Sequence, residues 1–236
     1  MPSSSLPPPS PDEVHVWQWD LDAPGGDFER HWQTLSAQER ERAGQFRFEQ
    51  HRRRYVAGRA ELRRLLGRYL AIPAHAVALG TGAEGKPFCA TQPAGWQLRF
   101  NLSHTANAAA LAVANGFEVG IDVENLRPIE DCVPLEVFTA RELATYRALT
   151  PAQQHAVFFE TWARKEAGLK ALGTGFVLPP GHFEFDLSIH GDTTPRLVGG
   201  EAREAAQWRI RALPFHAARA GAVAARRTDW SIVNMN

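Results

Sequence analysis

The stretch GIDVE, residues 120–124, sets two carboxylates, Asp122 and Glu124, among Gly120, Ile121 and Val123. Strand side chains alternate faces, so both acids point the same way, roughly 6–7 Å apart at the backbone. Like charges so placed repel, and burying either without compensation costs several kcal/mol. A divalent cation answers both penalties. All-oxygen ligands favour a hard ion, Mg²⁺ or its substitute Mn²⁺, which takes a few carboxylates and completes its shell with substrate phosphates. An edge strand turning both acids to solvent explains GIDVE equally well, and the stretch alone does not separate the two.

TWARKEAGLKALGTG, residues 161–175, adds a third acid. Trp162, Glu166 and Lys170 fall at i, i+4 and i+8, on one face of a helix. A surface Glu–Lys pair is the ordinary reading, worth a few tenths of a kcal/mol. Trp162 on the same face argues instead that the stripe points inward, where Glu166 needs a partner and Lys170 suits a phosphate. Arg40, Arg42, Arg47, Arg52, Arg53, Arg54, Arg59, Arg63 and Arg64 crowd one region. Most belong to a solvated helix surface, but two or three guanidiniums on one face grip a phosphate. A turn with Gly85, Lys86 and Pro87, and Ser103 with His104 at the end of FNLSHT, offer further phosphate contacts. GTGAEGKP lacks the spacing of a P-loop or dinucleotide fold, and no Cys/His cluster supports zinc. Ser103 and His104 are strand neighbours facing opposite ways, so they are not a nucleophile and its base.

The elements that must position these groups are legible in outline. VHVWQWDLD (14–22) alternates as a strand, and Ser36 with Glu39 forms a capping box opening a helix to about residue 48. A second helix spans about 51–70, and strands are expected at 96–105, 108–115 and 119–124. The second half repeats the order: a capping box of Thr139 and Glu142, a long helix from Pro151 to Leu172, then strands at 182–189, 207–213 and 218–226. This spacing predicts an α+β fold of two similar lobes, each a long helix on a small, mostly antiparallel sheet. The expected divisions are a disordered Pro/Ser-rich extension (1–13), an N-terminal lobe (14–117), a C-terminal lobe (118–227) and a tail (228–236). Functional residues then belong in the cleft between lobes. Lys and Arg number 26 against 26 Asp and Glu, so no global field draws the chain to nucleic acid or membrane. Cys89 and Cys132 are too few for a disulfide framework and read as reduced thiols of a cytoplasmic protein. No apolar run approaches the ~20 residues of a membrane span, and the start has no signal-peptide pattern.

Taken together, GKP (85–87), FNLSH (100–104), GIDVE (120–124) and WARKEAGLK (162–170) closely resemble the 4′-phosphopantetheinyl transferases. The likeness is to the larger single-chain type that activates peptide and polyketide synthetases in secondary metabolism, and spans about residues 30–190. It implies a pseudo-twofold monomer with its site between the lobes. It implies transfer of the phosphopantetheine arm of coenzyme A to a serine of an apo acyl or peptidyl carrier protein, releasing adenosine 3′,5′-bisphosphate. By the same resemblance Asp122, Glu124 and Glu166 hold Mg²⁺, and Lys170 and Lys165 face the pyrophosphate. Ser103, His104, Arg42 and Arg54 hold phosphates, chiefly the 3′-phosphate, and Gly85, Lys86 and Pro87 line the adenosine end. Glu142 matches an acid proposed to assist deprotonation; either Glu166, or a metal-bound water with Glu142, is the base. Glu39 stands where relatives often carry a basic residue near the 3′-phosphate. Two other readings stand beside this one. A Mg²⁺-dependent phosphohydrolase or nuclease usually spaces its later acid and lysine two apart on a strand, not four apart on a helix. An RNA-binding module using 40–64 is opposed by the zero net charge.

Overall fold

A computed structural model describes residues 5–23, 27–82, 84–128, 134–174, 177–214 and 218–235, and Cys132 lies outside them. The fold is α+β. Its first half runs β1 (Glu13–Asp20), α1 (Phe28–Thr34), α2 (Ala37–Gly44), α3 (Glu49–Leu70), β2 (Leu79–Thr81), β3 (Pro87–Cys89), β4 (Leu98–Thr105), β5 (Ala108–Asn115) and β6 (Val119–Asn125). Its second half runs α4 (Ala140–Arg147), α5 (Pro151–Leu172), β7 (Phe183–Glu184), β8 (Leu197–Val198), α6 (Ala202–Ala205), β9 (Arg209–Ala212), β10 (Arg219–Ala225) and β11 (Ser231–Met235).

Alternation sorts most strands into two larger sheets, β11-β1-β5-β4 and β6-β10-β9, antiparallel except where β11 pairs parallel with β1, while β2-β3 and β7-β8 form two-stranded ribbons. One face of the first sheet, with Trp17, Phe100, Leu111 and Val113, packs on Leu62, Leu65 and Leu66 of α3. Its other face, with Val14, Val16, Ala110 and Ala112, meets Ile121, Val123 and Val223 of the second sheet. The far face of that sheet, with Ala222 and Ala224, packs on Ala163, Ala167 and Ala171 of α5. Helix, sheet, sheet and helix are therefore layered around shared apolar faces. Alanine dominates the last contact because α5 lies almost on β6. A Cβ on Gly120 would stand 2.0 Å from Ala167 O and 2.4 Å from Ala171 N. Any side chain there drives the helix off the strand.

Both capping boxes form as expected, Ser36 with Glu39 and Thr139 with Glu142. The structure departs from expectation elsewhere. The helix opened by Ser36, α2, stops at Gly44 rather than near residue 48, and Phe48 is extended before α3 begins. Of the strand expected over 182–189 only Phe183–Glu184 pairs, with β8, although Phe185 and Leu187 are buried. The expected tail contains β11. Part of the expected disordered extension is held down: Leu6 N donates to Arg68 O at 3.1 Å, and Pro9 O accepts from Asn115 Nδ2 at 3.3 Å. No helix among the described residues is long and apolar enough to cross a membrane.

The long helices α3 and α5 each have 22 residues and each end on a left-handed residue, Ala71 (φ 54°) and Gly173 (φ 72°). Glycine adopts that conformation freely, whereas alanine bears a steric cost of about 1 kcal/mol. Ala71→Gly is expected to stabilise the fold by about 0.5–1 kcal/mol, raising Tm by about 2 °C in calorimetry.

Candidate active site

β4 and β6 lie side by side at the edges of their two sheets without a backbone ladder. The outward N–H groups of β6 are taken instead by alternate β4 side chains. Ile121 N donates to Asn101 Oδ1 at 2.9 Å, Val123 N to Ser103 Oγ at 3.4 Å, and Asn125 N to Thr105 Oγ1 at 3.4 Å. These bonds satisfy donors that would otherwise be orphaned in the interior. They also set the position of the strand that carries the two acids.

Asp122 is only 3 % exposed, so GIDVE does not turn both acids to solvent. Its Oδ1 accepts from Ser103 Oγ at 2.9 Å and from Lys170 Nζ at 2.5 Å. Its Oδ2 is buried with no hydrogen-bond partner among the described residues. Glu124 Oε1 accepts from Trp162 Nε1 at 3.0 Å. Along α5, Trp162, Glu166 and Lys170 are each partly exposed while Ala163, Lys165, Ala167 and Leu169 are buried, so the stripe looks into an opening. Burial pushes the carboxyls of Glu124 and Glu166 above their usual range, and the Asp122 charge adds to both. For Glu166, Lys170 opposes the shift. An orphaned carboxylate oxygen beside two carboxyls that resist ionising is a place short of positive charge. The all-oxygen donor set fits a hard divalent cation such as Mg²⁺. Among the described residues no three His, Cys, Asp or Glu side chains are closed around one point, and the Lys170 ammonium lies on Asp122 instead.

A cleft of about 600 Å³, open to solvent, starts at this cluster. Gly85, Lys86, Pro87, Asn101, Glu166 and Lys170 are among its lining residues, so the GKP turn faces the acid and lysine of α5. Lys86 Nζ donates to Glu118 Oε2 at 2.7 Å and to Val119 O at 3.2 Å, which ties the turn to the start of β6.

Other expected site residues lie elsewhere or are already engaged. Lys165 and Glu142 do not join the cluster. Both are fully buried, Lys165 Nζ donates to Glu142 Oε2 at 2.6 Å and to Val137 O at 2.8 Å, and Glu142 also accepts from Phe185 N at 2.7 Å and Thr139 N at 2.7 Å. The cause is helical geometry: Lys165 is next to Glu166 in sequence but about 100° around the helix. Ser103, expected on a phosphate, is buried, and its hydroxyl is spent on Asp122, Lys170 and Val123 N. His104, on the opposite face of β4, is exposed. Arg42 is exposed and donates to Gln45 Oε1 at 2.8 Å, and Arg54 is paired with Asp22, whose carboxyl it holds below the usual range. Their hydrogen-bond partners, Gln45 and Asp22, lie outside the carboxylate cluster. Glu39, the departure noted in the sequence, is a structural acid: Arg63 Nε, Arg59 Nε and Ser36 N donate to it at 2.6, 2.7 and 2.8 Å. Two contributors went unassigned in the sequence reading, Asn101 and the indole donor of Trp162. Alternation in FNLSHT puts Asn101 on the face of Ser103, which is the signal that marks it.

A carboxylate set wanting a cation, a lysine at its edge and a cleft leading to a Lys-bearing turn are an arrangement chemically suited to a phosphorylated ligand. Two family profiles cover nearly the whole fold: "4′-phosphopantetheinyl transferase, N-terminal" over residues 18–116, and "4′-phosphopantetheinyl transferase superfamily" over 118–225. The chain is similar to the 4′-phosphopantetheinyl transferase HetI of Nostoc sp., 42 % identical over 166 residues covering 70 % of each chain. It is also similar to the 4′-phosphopantetheinyl transferase psf-1 of Bacillus pumilus, 32 % identical over 71 % of this chain and 70 % of that protein. A third relative is the L-aminoadipate-semialdehyde dehydrogenase-phosphopantetheinyl transferase of Homo sapiens, 31 % identical over 84 % of this chain and 69 % of that protein. The chain belongs to the 4′-phosphopantetheinyl transferase superfamily.

Proposed function

We propose that the protein transfers the 4′-phosphopantetheine arm of coenzyme A to a serine of an apo acyl or peptidyl carrier protein, releasing adenosine 3′,5′-bisphosphate. The observation that carries this reading is the orphaned Oδ2 of buried Asp122, whose other oxygen is held by Lys170, a residue that lines the cleft together with Glu166. Asp122, Glu124 and Glu166 would hold Mg²⁺, which when bound supplies Lewis-acid polarisation of the pyrophosphate oxygens. The chain's own groups do the rest. Ser103 keeps Asp122 oriented. Lys170, whose side chain is 29 % exposed, can turn from Asp122 to the phosphate that leaves and neutralise its charge. The serine oxygen attacks the phosphorus bearing the pantetheine, the bond to the adenosine-bearing phosphate breaks, and the serine proton passes to a base. Glu166, which lines the cleft, suits that part better than Glu142, whose oxygens are engaged in the interior. The GKP turn, which lines the cleft, would take the adenosine end, and the exposed side chains of His104 and Arg42 would take phosphate.

The same reading makes the halves pseudo-twofold lobes meeting near residue 117, where the two family matches adjoin. Each half has an eight-residue capped helix followed by a 22-residue helix, and each buries the capping-box acid against a cation from the long helix. It also implies a cytoplasmic monomer that needs neither nucleic acid nor membrane. The test is incubation with coenzyme A, Mg²⁺ and a panel of apo carrier proteins, read by intact mass. At least one carrier should gain the mass of a phosphopantetheine on serine, and chelation of Mg²⁺ should stop the gain. No gain on any carrier, with the enzyme folded, overturns the reading.

A further inference from the structure

The geometry points to Trp162 as the positioning residue for Glu124, fixing one carboxylate oxygen so that the other is presented to the cation. This role rests on the reading of the site given above. The indole has one polar atom, and it is a donor only. That donor is aimed at Glu124 Oε1, 3.0 Å away across the gap between α5 and β6. The ring cannot easily turn aside. It stacks on Phe158 with centroids 6.4 Å apart and planes 25° apart, and packs against the core around α5.

Glu124 needs such a partner more than Asp122 does. Asp122 is fully buried and held by Ser103 and Lys170 on Oδ1. Glu124 is half-buried near the end of β6, has one more rotatable bond, and accepts a side-chain hydrogen bond from Trp162. Trp162 also stands one helical turn before Glu166, so one rigid helix sets the second carboxylate's orientation and supplies the third. Donors behind metal-binding side chains typically govern about 10–100-fold in affinity or activity. A Trp that only filled the core would influence stability and leave cation affinity alone.

Trp162→Phe keeps a ring on Phe158 and deletes the N–H. Mn²⁺ binding in the presence of coenzyme A, followed by the electron paramagnetic resonance of free Mn²⁺, should weaken about 10-fold. The Mg²⁺ concentration giving half-maximal transfer should rise by a similar factor, with the rate at saturating Mg²⁺ within about twofold. In a Glu124→Ala background the same substitution should add nothing further, because alanine leaves no acceptor for Trp162 to orient. Trp162→Leu, which also lacks the donor, serves as the second variant and should show the same loss. Wild type binding Mn²⁺ with Trp162→Phe unchanged, or effects that multiply in the Glu124→Ala background, overturn this role alone. Wild type taking up no Mn²⁺ overturns the cation reading of the site and this role with it.

Discussion

Asp122→Asn is expected to lower kcat/KM for arm transfer by about 10³-fold or more while the protein stays folded. Asparagine keeps the volume of the side chain, and its carbonyl can still accept from Ser103. It removes one negative charge from the set and replaces the orphaned Oδ2 with an N–H₂ group, a donor where a cation needs an acceptor. Losing cation-borne stabilisation of the transition state is worth several kcal/mol, and about 1.4 kcal/mol corresponds to a factor of ten. The folded state should suffer little. The ammonium of Lys170 is 29 % exposed and can turn to water once its partner loses charge. Kinetics at saturating Mg²⁺ beside a thermal melt check both halves. If Asp122 served only as the ion-pair partner of Lys170, the order would reverse: stability would fall, and activity per folded molecule would survive.

Same-face relations are what the sequence makes legible, because they follow from local backbone geometry. Alternation is enough to align Asp122 with Glu124, and 3.6-residue periodicity to align Glu166 with Lys170 and Trp162. Burial of Asp122 and the partial exposure of the α5 stripe agree with that alignment. Neighbouring letters mislead where the period turns them apart. Lys165 stands beside Glu166 in the motif yet serves the opposite interior, and His104 faces away from Ser103. Contacts set by tertiary packing leave little local trace. The β4–β6 seam uses side chains where a ladder would be expected, so Ser103 reads as a free hydroxyl until its three partners are known. Phe183, Phe185 and Leu187 alternate because they are buried, and burial does not require a pairing strand. The strand β11 depends on a parallel partner some two hundred residues away, which its own five residues cannot announce.

Lys165→Met should cost about 3–5 kcal/mol of stability, and about 10 °C or more in Tm, while transfer per folded molecule changes less than about twofold. The ammonium is fully buried against Glu142 and Val137 O. Burial pulls the Lys165 pKa down, and the neighbouring Glu142 charge opposes that shift. Methionine fills the space but leaves the Glu142 carboxylate charged in the interior, with only the Thr139 and Phe185 N–H groups for company. Adding Glu142→Gln removes the stranded charge and keeps an acceptor for one of those donors, so the double variant should recover at least half of the loss. Glu39 shows that the arrangement is a recurring device. Each of these acids closes a capping box and then receives a cation from the following long helix, Arg63 in one case and Lys165 in the other. Arg63→Met should therefore destabilise less, because Arg59 still reaches Glu39. Unfolding curves and carrier assays well below Tm decide between the two parts open to Lys165. A folded, stable Lys165→Met that has lost transfer would return this lysine to the pyrophosphate. A destabilised variant with intact transfer makes it the pin between α4 and α5.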